Sequence, residues 1–223
     1  MGEGRDGALS LSRREPLLAS PPQHAPVYTL GKRGRPSDVR PGADPGIAVV
    51  AAPRGGQATW HGAGQVVLYP ILRLRAFALG PRAYVESLED AAVAVAGAAG
   101  VAARGRVPGR TGVWVGARKL AAVGVRVSGG VATHGLAYNV CPDLEAFRGI
   151  VPCGDEGADP TSLDAELAAR GVPPTQRPTV DDVGRGLVDA LAVRLGGAGV
   201  AEADARDVGG GDSALLRALG VAE

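Results

Sequence analysis

The aromatic residues of this chain are confined to one continuous interval. All eight lie between Tyr28 and Phe147 of the 223 residues, and most of the β-branched runs fall in the same interval. Such side chains supply much of the apolar area that a core buries. We therefore expect one folded domain over residues 24–196, and poor order in segments 1–23 and 197–223, which are rich in Gly, Ala, Pro and charge.

Short runs bounded by Gly and Pro predict strands, and three- and four-residue periodicity predicts helices. The expected strands are Ile47–Ala51, Gln65–Ile71, Gly112–Val115, Leu120–Val127 and Gly135–Val140. The expected helices are Arg82–Ala99, which Gly100 would end, and Val180–Leu195, for which Thr179 is a suitable N-cap. This mixture indicates an α/β (α+β) fold, in which helices pack against a mixed sheet.

Charge and cysteine content exclude several classes of protein. The chain has 24 basic and 23 acidic residues, so no basic excess is available for a nucleic-acid backbone. The longest run of small apolar residues is too short to cross a bilayer. Two cysteines without the spacing of a zinc or redox motif favour a reducing compartment, and no metal site is expected.

Lysine is rare among the cations of this chain. Of the 24 basic residues, 22 are Arg and only Lys32 and Lys119 are Lys. Arginine stays protonated, whereas a lysine amine can exchange a proton with a substrate. Lys119 follows a predicted tight turn at Gly116 and Ala117. On local evidence it could be either a solvated hairpin residue or an acid/base group.

Three further segments could carry chemistry. Residues 54–65 combine four Gly with Trp60 and His61, which fits either a binding wall or a long glycine turn. His134 precedes a glycine at a strand start and could be a ligand donor or a turn residue. Cys153 follows Pro152 and precedes Gly154, so it could be a loop nucleophile or a structural thiol. Cys141 is given no role.

Several of these segments together resemble a known family. The motifs HAPVYTLGKRG, RGGQATWHGAGQVVLYPI, TGVWVGARKLAAVGVRV, ATHGLAYNV and IVPCG occur in that order. They resemble the octanoyltransferase family of lipoate biosynthesis over residues 24–163. The resemblance implies a fold like that of lipoate- and biotin-protein ligases. The helix and strand that precede these motifs in the family have only a short counterpart, SLSRREPLLASPPQ, so one edge of the fold is expected to be missing or replaced.

The resemblance also implies site residues and partners. Cys153 would be the nucleophile that carries the acyl thioester, and Lys119 would be its acid/base partner and lower the pKa of its thiol. The substrate-binding positions would be Arg54, Gly55, Gly56, Gln57, Ala58, Thr59, Trp60, His61, Ala122, Val123, Gly124, Gly135, Leu136 and Ala137. The donor would be octanoyl-acyl carrier protein, and the acceptors would be lipoyl domains of 2-oxoacid dehydrogenase E2 subunits and the glycine cleavage H protein. No cofactor, membrane or nucleic acid is implied, and the chain would act as a monomer.

Other functions remain open at this level. A cysteine hydrolase or transpeptidase would pair Cys153 with His61 or His134. An ATP-dependent relative of the lipoate and biotin ligases, or a binding module without catalysis, would form no acyl-enzyme. Parts of the sequence resemble plant and algal family members, which implies a mitochondrion or plastid, with the cytoplasm as the alternative.

Overall fold

Two sheets with helices packed on the larger one make up the described part of the chain. The structure is a computed structural model that describes residues 24–151 and 159–197, together with the backbone of two short strands at 17–19 and 201–202. The strands are β1 (Leu17–Ala19), β2 (Val27–Leu30), β3 (Ala48–Ala51), β4 (Ala58–His61), β5 (Gln65–Arg73), β6 (Val113–Val115), β7 (Arg118–Ser128), β8 (Val131–Asn139) and β9 (Ala201–Glu202). The helices are α1 (Pro81–Ala98), α2 (Leu163–Ala169) and α3 (Val180–Arg194).

The strands have a simple order. Among the described residues, the larger sheet runs β6-β7-β8-β5-β1-β9 and the smaller one runs β3-β2-β4. Neighbours from β6 to β1 are antiparallel, whereas β9 runs parallel to β1 and β3 runs parallel to β2. The sheet is therefore mixed, and the predicted fold class is confirmed.

The main core lies between the large sheet and the helices. Leu88 of α1 and Leu187 of α3 are fully buried with Leu68 of β5 and Tyr138 of β8 in one apolar cluster. A second, smaller cluster joins Tyr28, Ala58 and Trp60 of the small sheet to Phe147 and Ile150. One face of the large sheet thus packs against the helices, and its other face is turned toward the small sheet.

The predicted helices α1 and α3 are present, and their ends have the expected causes. Thr179 caps α3 by accepting the backbone N–H of Asp182, and the carboxylate of Asp182 accepts the N–H of Thr179 in return. Gly100 follows α1 with a φ of 80°, which a residue with a side chain rarely adopts. No described helix is long and apolar enough to cross a membrane.

The structure differs from the sequence prediction in several elements. Residues 58–61, which were assigned to a glycine-rich loop, form β4, and β2 and α2 were not predicted at all. β1 pairs with β5, with Leu17 opposite Ile71, and so supplies the edge that was expected to be missing or replaced. Most of 1–23 and 198–223 lies outside the described residues, so the domain limits stay a prediction.

Candidate active site

A cavity of about 110 Å³ lies between the two sheets. Its walls come from β2 and β4 on one side and from β5, β7 and β8 on the other. The apolar part of the lining includes Val67, Val123 and Leu136, and the polar part includes Thr29 and Arg54. A cavity with these walls can hold an alkyl chain while a few polar groups fix its orientation.

Most of the predicted substrate-binding residues meet at this cavity. Those that line it are Arg54, Gly56, Thr59, His61, Ala122, Val123, Gly124, Gly135, Leu136 and Ala137. Gly55, Gln57, Ala58 and Trp60 do not line it. Strand alternation explains two of these cases, because Ala58 and Trp60 face the second apolar cluster while Thr59 and His61 face the cavity.

Five lining residues were not among the predicted positions. They are Thr29, Ala52, Val67, Tyr69 and His134. Val67 and Tyr69 stand two apart in β5 and so share one face of that strand, which is the signal that the sequence offered. His134 has a left-handed backbone, with a φ of 58°, and its ring centroid lies 6.2 Å from that of Tyr69. This conformation lets His134 line the cavity, although Ala132 and Tyr138, which stand two and four residues from it along the strand, belong to the helix-side core.

Arg54 joins the glycine-rich segment to the small sheet. Its Nη2 donates to the carbonyl and hydroxyl oxygens of Thr29 at 2.9 and 2.6 Å, and its Nη1 donates to the carbonyls of Gly55 and Gln57 at 3.0 and 3.1 Å. The N–H of Gly55 donates to the carbonyl of Val125 in β7 at 2.9 Å. These bonds fix the loop across the cavity, so the wall is built before any ligand enters.

Hydrogen bonds hold the buried His61 ring on both of its nitrogens. Nδ1 lies 3.2 Å from Oε1 of Gln65, and Nε2 lies 3.3 Å from the hydroxyl of Thr29. Burial, with the nearby His24 and Arg54 adding smaller effects, lowers the pKa of His61 to about 4. The ring is therefore neutral at physiological pH and is a weak base.

A chain of buried amides leads from His61 to the neighbourhood of Lys119. Gln65 donates to Oδ1 of Asn139 at 2.8 Å, and Asn139 donates to the carbonyl of Thr161 at 2.9 Å. The backbone N–H of Thr161 donates to the carbonyl of Lys119 at 2.9 Å. The cavity wall and the backbone of Lys119 thus belong to one polar network.

A β-bulge determines where Lys119 points. Val113 pairs with Ala121, whereas the next residue, Trp114, pairs with Lys119, so Leu120 is an extra residue in β7. Consecutive residues normally point to opposite faces, yet Leu120 and Ala121 both enter the helix-side core. Lys119, directly before Leu120, is thereby directed to the opposite face of β7, which carries the cavity-lining Ala122 and Gly124. Without the bulge, Lys119 would share the face of Ala121.

The segment that contains Cys153 lies outside the described residues, but both of its flanks are anchored. The N–H of Val151 donates to the carbonyl of Asp38 at 2.8 Å. The backbone N–H of Lys119 donates to the carbonyl of Asp159 at 2.8 Å. The chain therefore returns from this segment directly beside Lys119, which is itself half-buried and three residues along β7 from the cavity wall.

Comparison with known proteins decides the family. Residues 12–192 match the model of the lipoyl protein ligase A/B catalytic domain. An octanoyltransferase of Thermobifida fusca is 50% identical over 153 residues, which cover 65% of this chain and 64% of that protein. The mitochondrial octanoyltransferase of Arabidopsis thaliana is 42% identical over 174 residues, which cover 76% and 72%. The chain belongs to the octanoyltransferases. These are acyltransferases of protein lipoylation.

Solved structures support the fold independently. A lipoate-protein ligase A bound with ATP superposes with a TM-score of 0.67 over 92% of this chain and 80% of that one, at 14% sequence identity. At this identity the match shows the fold alone. This chain and the lipoate-protein ligase therefore share one architecture.

Proposed function

We propose that this chain transfers an octanoyl group from octanoyl-acyl carrier protein to a lysine of lipoyl domains, through a thioester on Cys153. The observation that carries the proposal is the direction of Lys119, which the bulge in β7 turns to the cavity face beside the anchored end of the Cys153 segment. Lys119 would then be the acid/base group. The cavity between the sheets would hold the alkyl chain, with about 0.8 kcal/mol gained for each CH₂ that is buried.

In the first half of the proposed reaction, the Cys153 thiolate attacks the carbonyl carbon of the donor thioester. The Lys119 ammonium favours the thiolate because an opposite charge nearby stabilises the ionised form. A bond forms between the Cys153 sulfur and the acyl carbon, and the bond from that carbon to the carrier sulfur breaks. Lys119 gives its proton to the departing carrier thiolate and becomes neutral.

In the second half, the acceptor lysine amine attacks the acyl-enzyme. An amide bond forms, the bond between the acyl carbon and the Cys153 sulfur breaks, and the amine proton passes to neutral Lys119. The enzyme returns to its starting state with a thiolate and an ammonium. Arginine could supply the charge at this position but could not exchange the proton, because its guanidinium stays protonated.

The hydrolase alternative has weaker support. It needs His61 or His134 as a base, but the ring nitrogens of His61 already contact Gln65 and Thr29, and its pKa of about 4 makes it a poor proton acceptor. The ligase alternative predicts strict ATP dependence. The relatives are named octanoyltransferases, which favours octanoyl transfer over ATP-dependent ligation.

A transfer assay separates these functions. Purified chain, octanoyl-acyl carrier protein and a lipoyl domain are incubated without ATP, and both octanoyl-lysine and free octanoate are measured. We expect octanoyl-lysine as the main product, with Lys119→Ala far more damaging than His134→Gln. A requirement for ATP, or free octanoate as the main product with His134→Gln as damaging as Lys119→Ala, would refute the transferase.

Partners and location complete the proposal. The acceptors would be lipoyl domains of 2-oxoacid dehydrogenase E2 subunits and the glycine cleavage H protein. The chain would act as a monomer, and residues 24–196 would form its catalytic domain. The mitochondrial relative from A. thaliana supports a mitochondrion or plastid, whereas relatives such as that of T. fusca are bacterial. Imaging of a tagged chain in its own host distinguishes an organelle from the cytoplasm.

A further inference from the structure

Two cations lie on one buried indole, that of Trp114 in β6. The Nζ of Lys119 is 4.6 Å from the ring centroid of Trp114, and the Cζ of Arg110 is 4.0 Å from the same centroid. Both distances are within the range at which a cation is attracted to the face of an aromatic ring. The indole is only 2% exposed, so little water screens these contacts.

The position of the Trp114 ring is set by contacts other than the one with Lys119. Its Nε1–H donates to the carbonyl of Arg110 at 3.1 Å. Its backbone N–H and carbonyl form a pair of 2.9 Å hydrogen bonds with Arg104. Trp114 therefore offers a fixed surface, whereas the side chain of Lys119 has four rotatable bonds and would otherwise populate several rotamers.

The space around Lys119 is restricted on a second side. Gly112 has a φ of 121°, and a side-chain carbon added there would lie 3.6 Å from Cε of Lys119. The N–H of Gly112 donates to the buried carboxylate of Glu89 at 2.6 Å. The lysine side chain thus passes between an anchored backbone and the indole.

We propose that Trp114 is a positioning residue for Lys119, and that Arg110 supports it by stacking on the same indole. This inference rests on the proposed function, in which the ammonium must stand close to the reacting sulfur. The indole attracts the ammonium and limits its rotamers, and the β-bulge provides the cross-strand pairing that brings the two side chains together. Loss of the ring is expected to slow the chemical step and to leave donor binding unchanged.

Kinetics of two substitutions test the positioning role. Trp114→Leu removes the π-face and is expected to lower kcat about tenfold while KM for octanoyl-acyl carrier protein stays unchanged. Trp114→Phe retains a π-face and is expected to recover most of the rate. Arg110→Gln is expected to lower kcat by about threefold, whereas the matched control Arg185→Gln, on the exposed side of α3, should not change it. If Phe and Leu were equally damaging, or if KM rose instead of kcat falling, the proposal would be wrong.

A measurement without substrate keeps this inference separate from the proposed function. The chain has only two lysines, so selective ¹³C labelling of lysine gives two Cε signals, which Lys32→Arg assigns. The ring current of the aromatic side chain at position 114 should move the Lys119 signal upfield of the exposed Lys32 signal in wild type and in Trp114→Phe, and the shift should be lost in Trp114→Leu. A wild-type Lys119 signal that matches Lys32 would overturn the proposal even if octanoyl transfer were observed. The ring-current shift without octanoyl transfer would instead count against the proposed function.

Discussion

At the scale of single residues, the cavity wall contains a neutral histidine and an arginine whose side chain is fixed by hydrogen bonds. His61 is buried with both ring nitrogens bonded, and Arg54 makes four hydrogen bonds to backbone and hydroxyl oxygens. Neither side chain can reorient without breaking these contacts. They therefore shape and orient the site, which agrees with the proposal that Lys119 carries the proton.

His61 should make the stability of the protein depend on pH. Its pKa is about 4 in the folded state against 6.5 for an unperturbed histidine, so between these values the unfolded chain binds a proton that the folded chain does not. This contribution is complete above pH 6.5 and is lost as the pH falls toward 4, by about 3 kcal/mol. Urea unfolding of wild type and His61→Gln at several pH values checks it. The difference between the two should shrink as the pH falls, and a constant difference would contradict the assignment.

Gly124 should limit what the cavity can accept. A side-chain carbon at this position would lie 3.0 Å from both Cδ of Arg54 and the carbonyl oxygen of Gly55. Gly124→Ala must displace the Arg54 loop or narrow the cavity, so kcat/KM for the octanoyl donor is expected to fall by about tenfold. Gly80→Ala is the matched control, since a carbon there meets no atom within 4 Å. Equal activity of the two variants would show that this wall does not contact the acyl chain.

At the scale of elements, the connection between α1 and β6 places the hairpin of β6 and β7. Glu89 of α1 is only 3% exposed, and its carboxylate accepts the backbone N–H groups of Arg106 and Gly112 at 2.8 and 2.6 Å. The strand with Trp114 begins directly after Gly112. One buried carboxylate on a helix therefore fixes the loop that leads into the site.

Glu89→Gln should destabilise the fold. The amide has one acceptor oxygen where the carboxylate has two, so one backbone N–H loses a charge-assisted bond, at a cost of about 2 kcal/mol. Glu86→Gln, at the position three residues before Glu89 in α1, is partly exposed in ion pairs and is expected to cost less than about 0.5 kcal/mol. Chemical denaturation of both variants measures this. A loss for Glu89→Gln no greater than that for Glu86→Gln would contradict the anchoring role.

The sequence predicts the elements that obey a simple period and misses those that do not. α1 and α3 follow from helical spacing and from identifiable end signals at Gly100 and Thr179. β4 was missed because Gly surrounds it, although Thr59 and His61 alternate with Ala58 and Trp60 as in any strand. The bulge at Leu120 leaves no clear signal, because Leu-Ala-Ala suits either register. The direction of Lys119 therefore becomes visible only in the structure.

At the scale of the whole molecule, the large sheet contributes to both the main core and the cavity, whereas the small sheet closes the other side of the cavity. The large sheet packs its helices into the main core, and its other face forms the cavity with the small sheet. The motifs of the family resemblance lie far apart in sequence, yet the fold brings ten of the fourteen predicted binding positions to one cavity. Of the other four, Ala58 and Trp60 point to the opposite face of β4 and pack in the second apolar cluster. The backbone carbonyls of Gly55 and Gln57 accept hydrogen bonds from Arg54.

The central claim is that the octanoyl group passes through Cys153 under the control of Lys119. Single-turnover intact-mass spectrometry, first with octanoyl-acyl carrier protein and then with a lipoyl domain, tests it most directly. We predict an octanoyl adduct on wild type that disappears when the lipoyl domain is added, no adduct on Cys153→Ser, and poor formation and slower discharge of the adduct on Lys119→Arg. A folded wild type that forms no adduct, or an adduct that persists in Cys153→Ser, would contradict the account.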